Sequence, residues 1–311
     1  MNTLFLHESG VLMSMFALVD NTISHQANYE WVVCALCGED DTSLLYEINL
    51  DTRQLSDLWL DGKKLRLNKT EKLVVCNHCG LAYMNPRVRL SEGVSLYTVE
   101  QELAYFEATR QKRTHAFERL VQQLPVWLGH TPTTMLDFGC GDALLVEVAR
   151  KNDIFAVGAE ISPDLIKSGN ARLGDGAILD FRGKTSLDSS FDVITAINVI
   201  EHLPYPKAVL EMLARALNPG GILLVHVPNF GGWPARIAGK SWRQIEPLGH
   251  FYYFTEKTLK ALFREVACEP LVGFQLTTGG RWKNSIQRVF ERFGPQLSNG
   301  LGLVGRRLYD A

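Results

Sequence analysis

From Thr134 onward the sequence alternates between two periods, and this alternation constrains the fold more than any other feature. Short apolar runs recur at Thr134-Met135-Leu136-Asp137, Phe155-Ala156-Val157-Gly158-Ala159-Glu160, Ala177-Ile178-Leu179-Asp180, Phe191-Asp192-Val193-Ile194-Thr195-Ala196 and Ile222-Leu223-Leu224-Val225-His226-Val227. Helical stretches follow or separate them, at Ala143 to Lys151, around Leu165 and Ile166, at Ala208 to Leu217 and at Thr255 to Val266. Continuous apolar strands are buried on both faces, and strands joined through helices run parallel. The expectation is an α/β fold, Rossmann-like, with a doubly wound and mostly parallel sheet. Asn218-Pro219-Gly220-Gly221 should stop the third helix, and Thr255 should cap the fourth. Upstream, apolar residues from Leu90 to Leu128 predict a helix that Pro125 interrupts.

Such a sheet binds ligands beyond the carboxyl ends of its strands, where the strand order reverses. Here the first strand ends in Asp137-Phe138-Gly139-Cys140-Gly141-Asp142. Glycines at 139 and 141 let the backbone turn sharply and approach a ligand. Glu160, nineteen residues beyond Gly141, ends the next strand, where a carboxylate can accept hydrogen bonds from both hydroxyls of a ribose. A nucleoside cofactor is implied. A dinucleotide fingerprint needs a third glycine, and Leu144 stands in its place. Asp137 and Asp142 would repel a pyrophosphate, but they suit a cofactor with a positive end, such as the ammonium and sulfonium of S-adenosylmethionine.

Leu136-Asp137-Phe138-Gly139-Cys140-Gly141, Glu160-Ile161-Ser162-Pro163, Phe191-Asp192-Val193-Ile194, Glu201-His202-Leu203 and Pro219-Gly220-Gly221 occur in that order between roughly residues 95 and 270. Together they resemble the class I S-adenosylmethionine-dependent methyltransferases. The resemblance implies that Asp137, Gly139, Cys140 and Gly141 line the methionine part of the cofactor. It further implies that Glu160 binds the ribose, Ile161 packs on the adenine, and Asp180 contacts the adenine amino group with Phe181 beside it. Asn198 would face the methyl-transfer centre. Cys140 departs from the glycine or other small residue of many members. A hydroxyl or amine acceptor must lose a proton, so a general base helps. The candidates are Glu201, His202 and His250, although Glu201 and His202 also suit capping the next helix. His250 lies in a stretch with Trp233, Trp242, Phe251, Tyr252, Tyr253 and Phe254 that reads either as acceptor pocket or as core.

Four of the six cysteines form two near-copies of one unit, Cys34-Ala35-Leu36-Cys37-Gly38 and Cys76-Asn77-His78-Cys79-Gly80. Two such turns supply the four thiolates of a tetrahedral structural zinc site, with redox pairs or an iron–sulfur cluster as alternatives. Cys34, Cys37, Cys76 and Cys79 are therefore the predicted Zn2+ ligands, with His78 exposed. The chain divides into a tail (1–28), a zinc-ribbon-like module (29–90) and an S-adenosylmethionine-binding domain (91–311). A ribbon of this form, running on through Gly80 to Arg87, resembles the lead-in of a bacterial subgroup of these methyltransferases that modifies sugars, lipids or secondary metabolites. In that subgroup a tyrosine, here Tyr97 or Tyr105, can close over the cofactor.

The expected reaction is methyl transfer, to oxygen, on a small-molecule, sugar or lipid-linked acceptor. One alternative is RNA methylation, footed on Lys63, Lys64, Arg66 and Lys69 and on Arg281, Lys283, Arg288 and Arg292. Another is a non-catalytic zinc-ribbon interaction protein. A net charge of −2 gives no global attraction for nucleic acid. No apolar run reaches the ~20 residues of a membrane span, and His7, Glu8 and Asp20 with no early Lys or Arg make a poor secretory signal, so the cytoplasm is the expected compartment. Trp282 to Phe293 reads as an amphipathic helix, packed on its own domain or lying on a membrane surface. The oligomeric state is not legible.

Overall fold

The computed structural model describes residues 29–50, 59–60, 63–64, 69–89, 99–187, 189–276 and 295–308. The tail, Tyr97 and the stretch Trp282 to Phe293 fall outside them, as do Arg66, Arg281, Lys283, Arg288 and Arg292 of the basic residues weighed for RNA.

Seven short strands come first: β1 (Tyr29–Glu30), β2 (Thr42–Asn49), β3 (Trp59–Leu60), β4 (Lys63–Lys64), β5 (Thr70–Cys76), β6 (Ala82–Met84) and β7 (Arg87–Val88). Helix α1 (Val99–Leu128) leads into β8 (Thr134–Phe138), α2 (Leu144–Arg150), β9 (Phe155–Glu160), α3 (Pro163–Leu173), β10 (Ile178–Asp180) and β11 (Phe191–Ile197). Then come α4 (Pro206–Arg215), β12 (Leu217–Pro228), α5 (Trp233–Ala238), β13 (Tyr252–Tyr253), α6 (Glu256–Glu265), β14 (Cys268–Phe274) and β15 (Gly300–Arg307).

The main sheet has the order β10-β9-β8-β11-β12-β15-β14. Its first five strands are parallel, and β15 runs antiparallel to both its neighbours. The chain winds outward from β8 through β9 and β10, then crosses back to β11 and β12. The order therefore reverses between β8 and β11, and the crevice at that point opens beyond Phe138 and Ile197. Alternate residues of β8 feed opposite cores. Leu136 packs with Ile194, Leu223 and Val225 against Leu210 and Leu213 of α4 and Leu259 and Phe263 of α6. Met135 packs with Val193 and Leu224 against Leu124 of α1 and Leu145 and Val148 of α2. Burying each such side chain contributes about 1.5–3 kcal/mol.

The first of these cores continues without a break into the cysteine module through Tyr83, Leu81 and Cys34. A second sheet, in the order β13-β6-β5-β2, crosses the same boundary, because β13 lies far along the chain from its neighbours. Tyr252 pairs with Tyr83 and Tyr253 with Ala82, and the Met84 amide donates to the Phe251 carbonyl at 2.9 Å.

Three local features differ from the sequence reading. The α1 helix continues through Pro125 to Leu128, since only its last turn follows and the Gly129 amide closes onto the Pro125 carbonyl at 2.9 Å. Helix α4 ends at Arg215, and the Asn-Pro-Gly-Gly stretch already belongs to β12. The glycine-rich β15 has no strand-like pattern because its neighbours leave no room for side chains: a Cβ on Gly305 would meet the Phe263 ring at 2.3 Å. Thr255 caps α6 as its position suggests, closing a reciprocal capping box with Thr258.

Candidate active site

The glycine loop turns immediately after β8. Gly139 and Gly141 have φ of +69° and +54°, and a Cβ on either would strike Val199 at 2.5 Å or the Phe106 ring at 2.8 Å. Helix α1 clamps this loop from above. Arg113 grips both oxygens of Asp142 at 2.7 and 2.8 Å, donates to the Phe106 carbonyl, and lies 4.9 Å from the Phe106 ring centre. Arg110 pairs with Glu147 at 2.6 Å. Asp142 is thus an anchor for α1, which corrects its reading as a second acid open to a cationic cofactor. The sequence reading passed over Phe106 and Arg113. Their seven-residue spacing, two turns of one helix face, was the available signal.

Asp137 is buried beneath the loop and accepts the Thr195 hydroxyl at 2.7 Å. Burial, with Glu160 and Asp142 nearby, pushes its carboxyl up to about 7. Glu160 is fixed by backbone amides, with Gly141 on one oxygen at 2.9 Å and Ile161 and Ser162 on the other at 2.8 and 3.1 Å. Ile161 is nearly half exposed beside it. Cys140 is buried, its sulfur 2.4 Å from where a Cβ on Gly158 would stand, so it packs inward under the loop. Asp180 is held at the surface by the Arg182 guanidinium and amide, which bring its carboxyl down to about 2. Phe181 is buried edge-on against Phe138 at 5.2 Å. Asn198 ends β11 with φ +54°, and its side-chain oxygen lies 3.1 Å from His226 Nδ1. Burial brings His226 down to about 4.

Glu201 and His202 form a single 3-10 turn after β11, and His250 precedes β13. One donor atom from each of the three lies within 4.8 Å of the others. The His202 and His250 rings meet edge to face at 4.6 Å. His202 Nδ1 bonds to the Gly249 carbonyl and His250 Nδ1 to the Gln244 carbonyl, both at 2.9 Å. Burial and the neighbouring His250 lower His202 to about 4, and burial lowers His250 as well. Glu201 is 1% exposed, neither carboxylate oxygen has a hydrogen-bond partner among the described residues beyond the residue's own amide, and burial with the Glu246 charge nearby raises it to about 8. The three base candidates therefore form one cluster. The surrounding aromatics are core: Trp242, Phe251, Tyr252, Tyr253 and Phe254 are buried, while Trp233 is half exposed.

Arg87, which the sequence reading did not single out, ties this region to the cysteine module. It is 2% exposed, pairs with Glu30 at 2.6 Å, and donates to Tyr252 Oη and the Pro204 carbonyl, each at 3.0 Å. Its guanidinium lies 4.9 Å from the Phe251 ring centre.

The four module cysteines converge as their spacing predicts. Each knuckle closes through a glycine amide onto the carbonyl of its first cysteine, Gly38 onto Cys34 at 2.8 Å and Gly80 onto Cys76 at 3.0 Å. Cys34–Cys79 and Cys37–Cys76 sulfurs are 3.5 Å apart, and all four lie within 4.8 Å. A disulfide needs about 2.05 Å, whereas a tetrahedral site with Zn–S of about 2.3 Å has sulfur–sulfur edges near 3.8 Å. The residues fit such an ion. Burial raises the Cys34 thiol, and that of Cys79 to about 11, while at Cys76 burial is outweighed by hydrogen bonds from the Cys79 and His78 amides and the neighbouring thiols, which lower that thiol, so Cys34 and Cys79 in particular need a cation beside them to ionise. His78 is exposed.

A parallel sheet with a glycine loop after its first strand and an acid closing the second is a nucleoside-binding architecture of Rossmann type. Residues 108–271, over half of the chain, match the family model described as a methyltransferase domain, and the chain belongs to that family, the class I S-adenosylmethionine-dependent methyltransferases. Among relatives, the ubiquinone biosynthesis O-methyltransferase of Xanthomonas axonopodis pv. citri is 29% identical over 127 residues, covering 38% of this chain and 53% of that protein. Its namesake in Idiomarina loihiensis is 34% identical over 102 residues, covering 30% and 42%. The chain thus spans about half the length of the curated relatives it matches. A crystal structure of an S-adenosylmethionine-dependent methyltransferase from Clostridium acetobutylicum superposes with a TM-score of 0.50 at 10% identity, covering 68% of this chain and all of that one, which supports the fold. Among the described residues no helix is long and apolar enough to cross a membrane.

Proposed function

We propose that this protein methylates an oxygen of a small-molecule, sugar or lipid-linked acceptor, with S-adenosylmethionine as methyl donor and a structural Zn2+ in the four-thiolate cluster. The observation that carries the reading is the position of two buried acidic centres, Glu160 at the end of β9 and Glu201 just past β11, on either side of the glycine loop at the sheet's reversal point.

The cradle suits the donor. Gly139 and Gly141 leave no room for side chains, Asp137 supplies negative charge below them, and exposed Ile161 offers an apolar face for the adenine. A carboxylate has about four acceptor positions, and backbone amides occupy three on Glu160. One position is left for a ribose hydroxyl, and a second hydroxyl would exchange with the Gly141 amide. For Asp180 to meet the adenine amino group it would give up Arg182, a surface pair worth about 0–1 kcal/mol. When bound, S-adenosylmethionine supplies an electrophilic methyl group on a sulfonium.

On the acceptor side the Glu201–His202–His250 cluster handles the proton. A carbonyl only accepts, so Nδ1 of each histidine carries its hydrogen and the other nitrogen presents a lone pair. Both rings are held neutral by burial, which keeps them available to a hydroxyl proton. Holding two molecules in line lowers a barrier by up to about 7–11 kcal/mol, so the remaining work is deprotonation. Curated relatives named O-methyltransferases support an oxygen acceptor. Calorimetric titration of the zinc-loaded protein with S-adenosylmethionine tests the reading: one site per chain is expected, and no binding overturns it. Transfer of labelled methyl groups into cell extracts then identifies the acceptor.

A further inference from the structure

We propose that Glu201, His202 and His250 form a second metal site, separate from the four-thiolate cluster, which takes a divalent first-row cation through one carboxylate oxygen and two imidazole nitrogens.

Three observations converge on it. The first is distance. Glu201 Oε1 and His202 Nε2 are 3.8 Å apart, and all three donor atoms lie within 4.8 Å of one another. That is too long for a hydrogen bond. It is close to the spacing of two ligands on one ion, since bonds of about 2.0–2.2 Å put ligand atoms roughly 3–4 Å apart.

The second is the orientation of the rings. Each histidine gives its Nδ1 hydrogen to a backbone carbonyl, His202 to Gly249 and His250 to Gln244. Ligating histidines are held this way, with the outer nitrogen donating and the inner one facing the metal. Nε2 of each ring is therefore left with a lone pair, as the carboxylate is with its own.

The third is the unmet demand of Glu201. Beyond the residue's own amide, both its oxygens are buried without a hydrogen-bond partner among the described residues, and a buried polar group left so costs about 1–3 kcal/mol even when neutral. Among the described residues no Lys or Arg side chain is paired with it, and Glu246 adds further negative charge. A single proton on Glu201 cannot satisfy this arrangement, because at 3.8 Å it reaches no nitrogen of His202. A divalent cation satisfies all three groups at once. His202 has a side chain 40% exposed, so the site has an open side. Two imidazoles and a carboxylate suit Mn2+, Fe2+, Co2+ or Zn2+, and three protein ligands leave positions free for an acceptor.

The role of the ion rests on the methyl-transfer reading, whereas its binding does not. With the cation bound, the imidazole lone pairs are engaged and no longer take the proton themselves; a hydroxyl ligated to the cation would instead lose its proton to solvent more readily. Its oxygen then forms the new C–O bond as the S–CH3 bond breaks and the sulfonium leaves as a neutral thioether.

The test uses the full chain with zinc in the thiolate site and Co2+ as probe. Proton NMR should show one bound Co2+ with two exchangeable, strongly shifted imidazole N–H signals, one from each Nδ1. His202→Ala should remove one signal. Glu201→Gln, which keeps the side-chain shape, should weaken Co2+ binding by about tenfold or more while zinc stays at one per chain. Should Glu201→Gln fail to fold, the half-exposed His202 variant carries the test. Absence of shifted signals, binding unaffected by these variants, or cobalt seen only through thiolate charge-transfer absorption would each overturn the site. S-adenosylmethionine titration of the same samples separates the two ideas. Cobalt binding without cofactor binding sinks methyl transfer and keeps the site, while cofactor binding without cobalt does the reverse.

Discussion

Replacing Arg87 with methionine should show how far the acceptor side of the site depends on the cysteine module. The change keeps length and apolar stem and removes the guanidinium. Five interactions disappear: the Glu30 ion pair at 2.6 Å, the bonds to Tyr252 Oη and the Pro204 carbonyl at 3.0 Å, and the ring contacts with Phe251 at 4.9 Å and Tyr205 at 5.8 Å. The Pro204 carbonyl is not orphaned, because Tyr252 Oη still donates to it at 2.9 Å. The residue left stranded is Glu30, whose side chain is only 23% exposed. Breaking a buried pair from one side costs about 3–5 kcal/mol, and partial exposure of Glu30 puts this case near the lower end, at about 3 kcal/mol. A further Glu30→Gln change should restore about 1–2 kcal/mol by removing the stranded charge. Urea denaturation of the zinc-loaded protein, followed by tryptophan fluorescence, reads these differences. On the functional side, Arg87 supports the strand after His250 and has no contact with the glycine loop, so acceptor KM should rise with cofactor affinity unchanged. A loss below about 1 kcal/mol, or single and double variants that add within about 0.5 kcal/mol, would refute the reasoning.

Cys34→Ser should drop zinc from one per chain to near zero by elemental analysis and lower acceptor turnover through the shared β6–β13 pairing; retention of a full zinc complement would sink the thiolate assignment. Glu160→Gln should weaken S-adenosylmethionine binding by about 1.5–3 kcal/mol, the worth of a hydrogen bond to a charged group, and should also lower the thermal midpoint, because one amide-bonded oxygen becomes an NH2; calorimetry on the folded variant showing equal affinity contradicts the ribose role. Asp137 predicts a pH profile. Its free-state carboxyl sits near 7, and a cationic ligand favours the ionised form, so cofactor affinity should be flat above pH 7 and fall by up to tenfold per unit below it. Asp137→Asn should flatten the profile, and an unchanged slope in that variant counts against the assignment. The same raised value means that Asp137's contribution to stability is complete below about pH 3.8 and is lost as pH rises through about 7.

The two halves of the site differ in how much of them could be read from the sequence. The cofactor half is local: a glycine loop after one strand, and an acid at the end of the next. Apolar runs and turn residues suffice to find it, and β8, β9 and Glu160 lie where they were expected. The two cysteine knuckles are legible for the same reason, each being a five-residue turn. The acceptor half is assembled from residues with no common period. Arg87 and Tyr252 stand 165 positions apart; on the cofactor side the clamp of α1 on the loop is equally non-local, Arg113 and Asp142 being 29 apart. A lone arginine after a proline carries no signal that it will be buried, because its environment is made by a strand that comes much later. Asp142 was misread for the same reason, since its charge looks open until α1 is folded over it. β15 escaped notice because packing against Phe263 and Phe274 demanded glycines, which erase the alternation a strand normally shows.

That asymmetry suggests what the module is for. Four thiolates around a tetrahedral ion leave no position for substrate, so the cluster does no chemistry of its own. Its sheet nonetheless takes in β13, the strand immediately after His250, and Arg87 locks the segment from Pro204 to Tyr252 against β7. His202 and His250 come from segments joined by the Phe251 amide on the Glu201 carbonyl, His202 on the Gly249 carbonyl and Tyr252 Oη on the Pro204 carbonyl. Three hydrogen bonds of about 0.5–1.5 kcal/mol each offset little of the cost of desolvating a buried carboxylate and two imidazoles side by side. A folded module paired along β6 can offset more, because metal binding of about 10–16 kcal/mol can be drawn on to hold an arrangement that costs several. On the proposed reading the cysteine cluster would brace the acceptor side of the crevice, and stripping its Zn2+ should then loosen His250 while leaving the glycine loop and Glu160 in place.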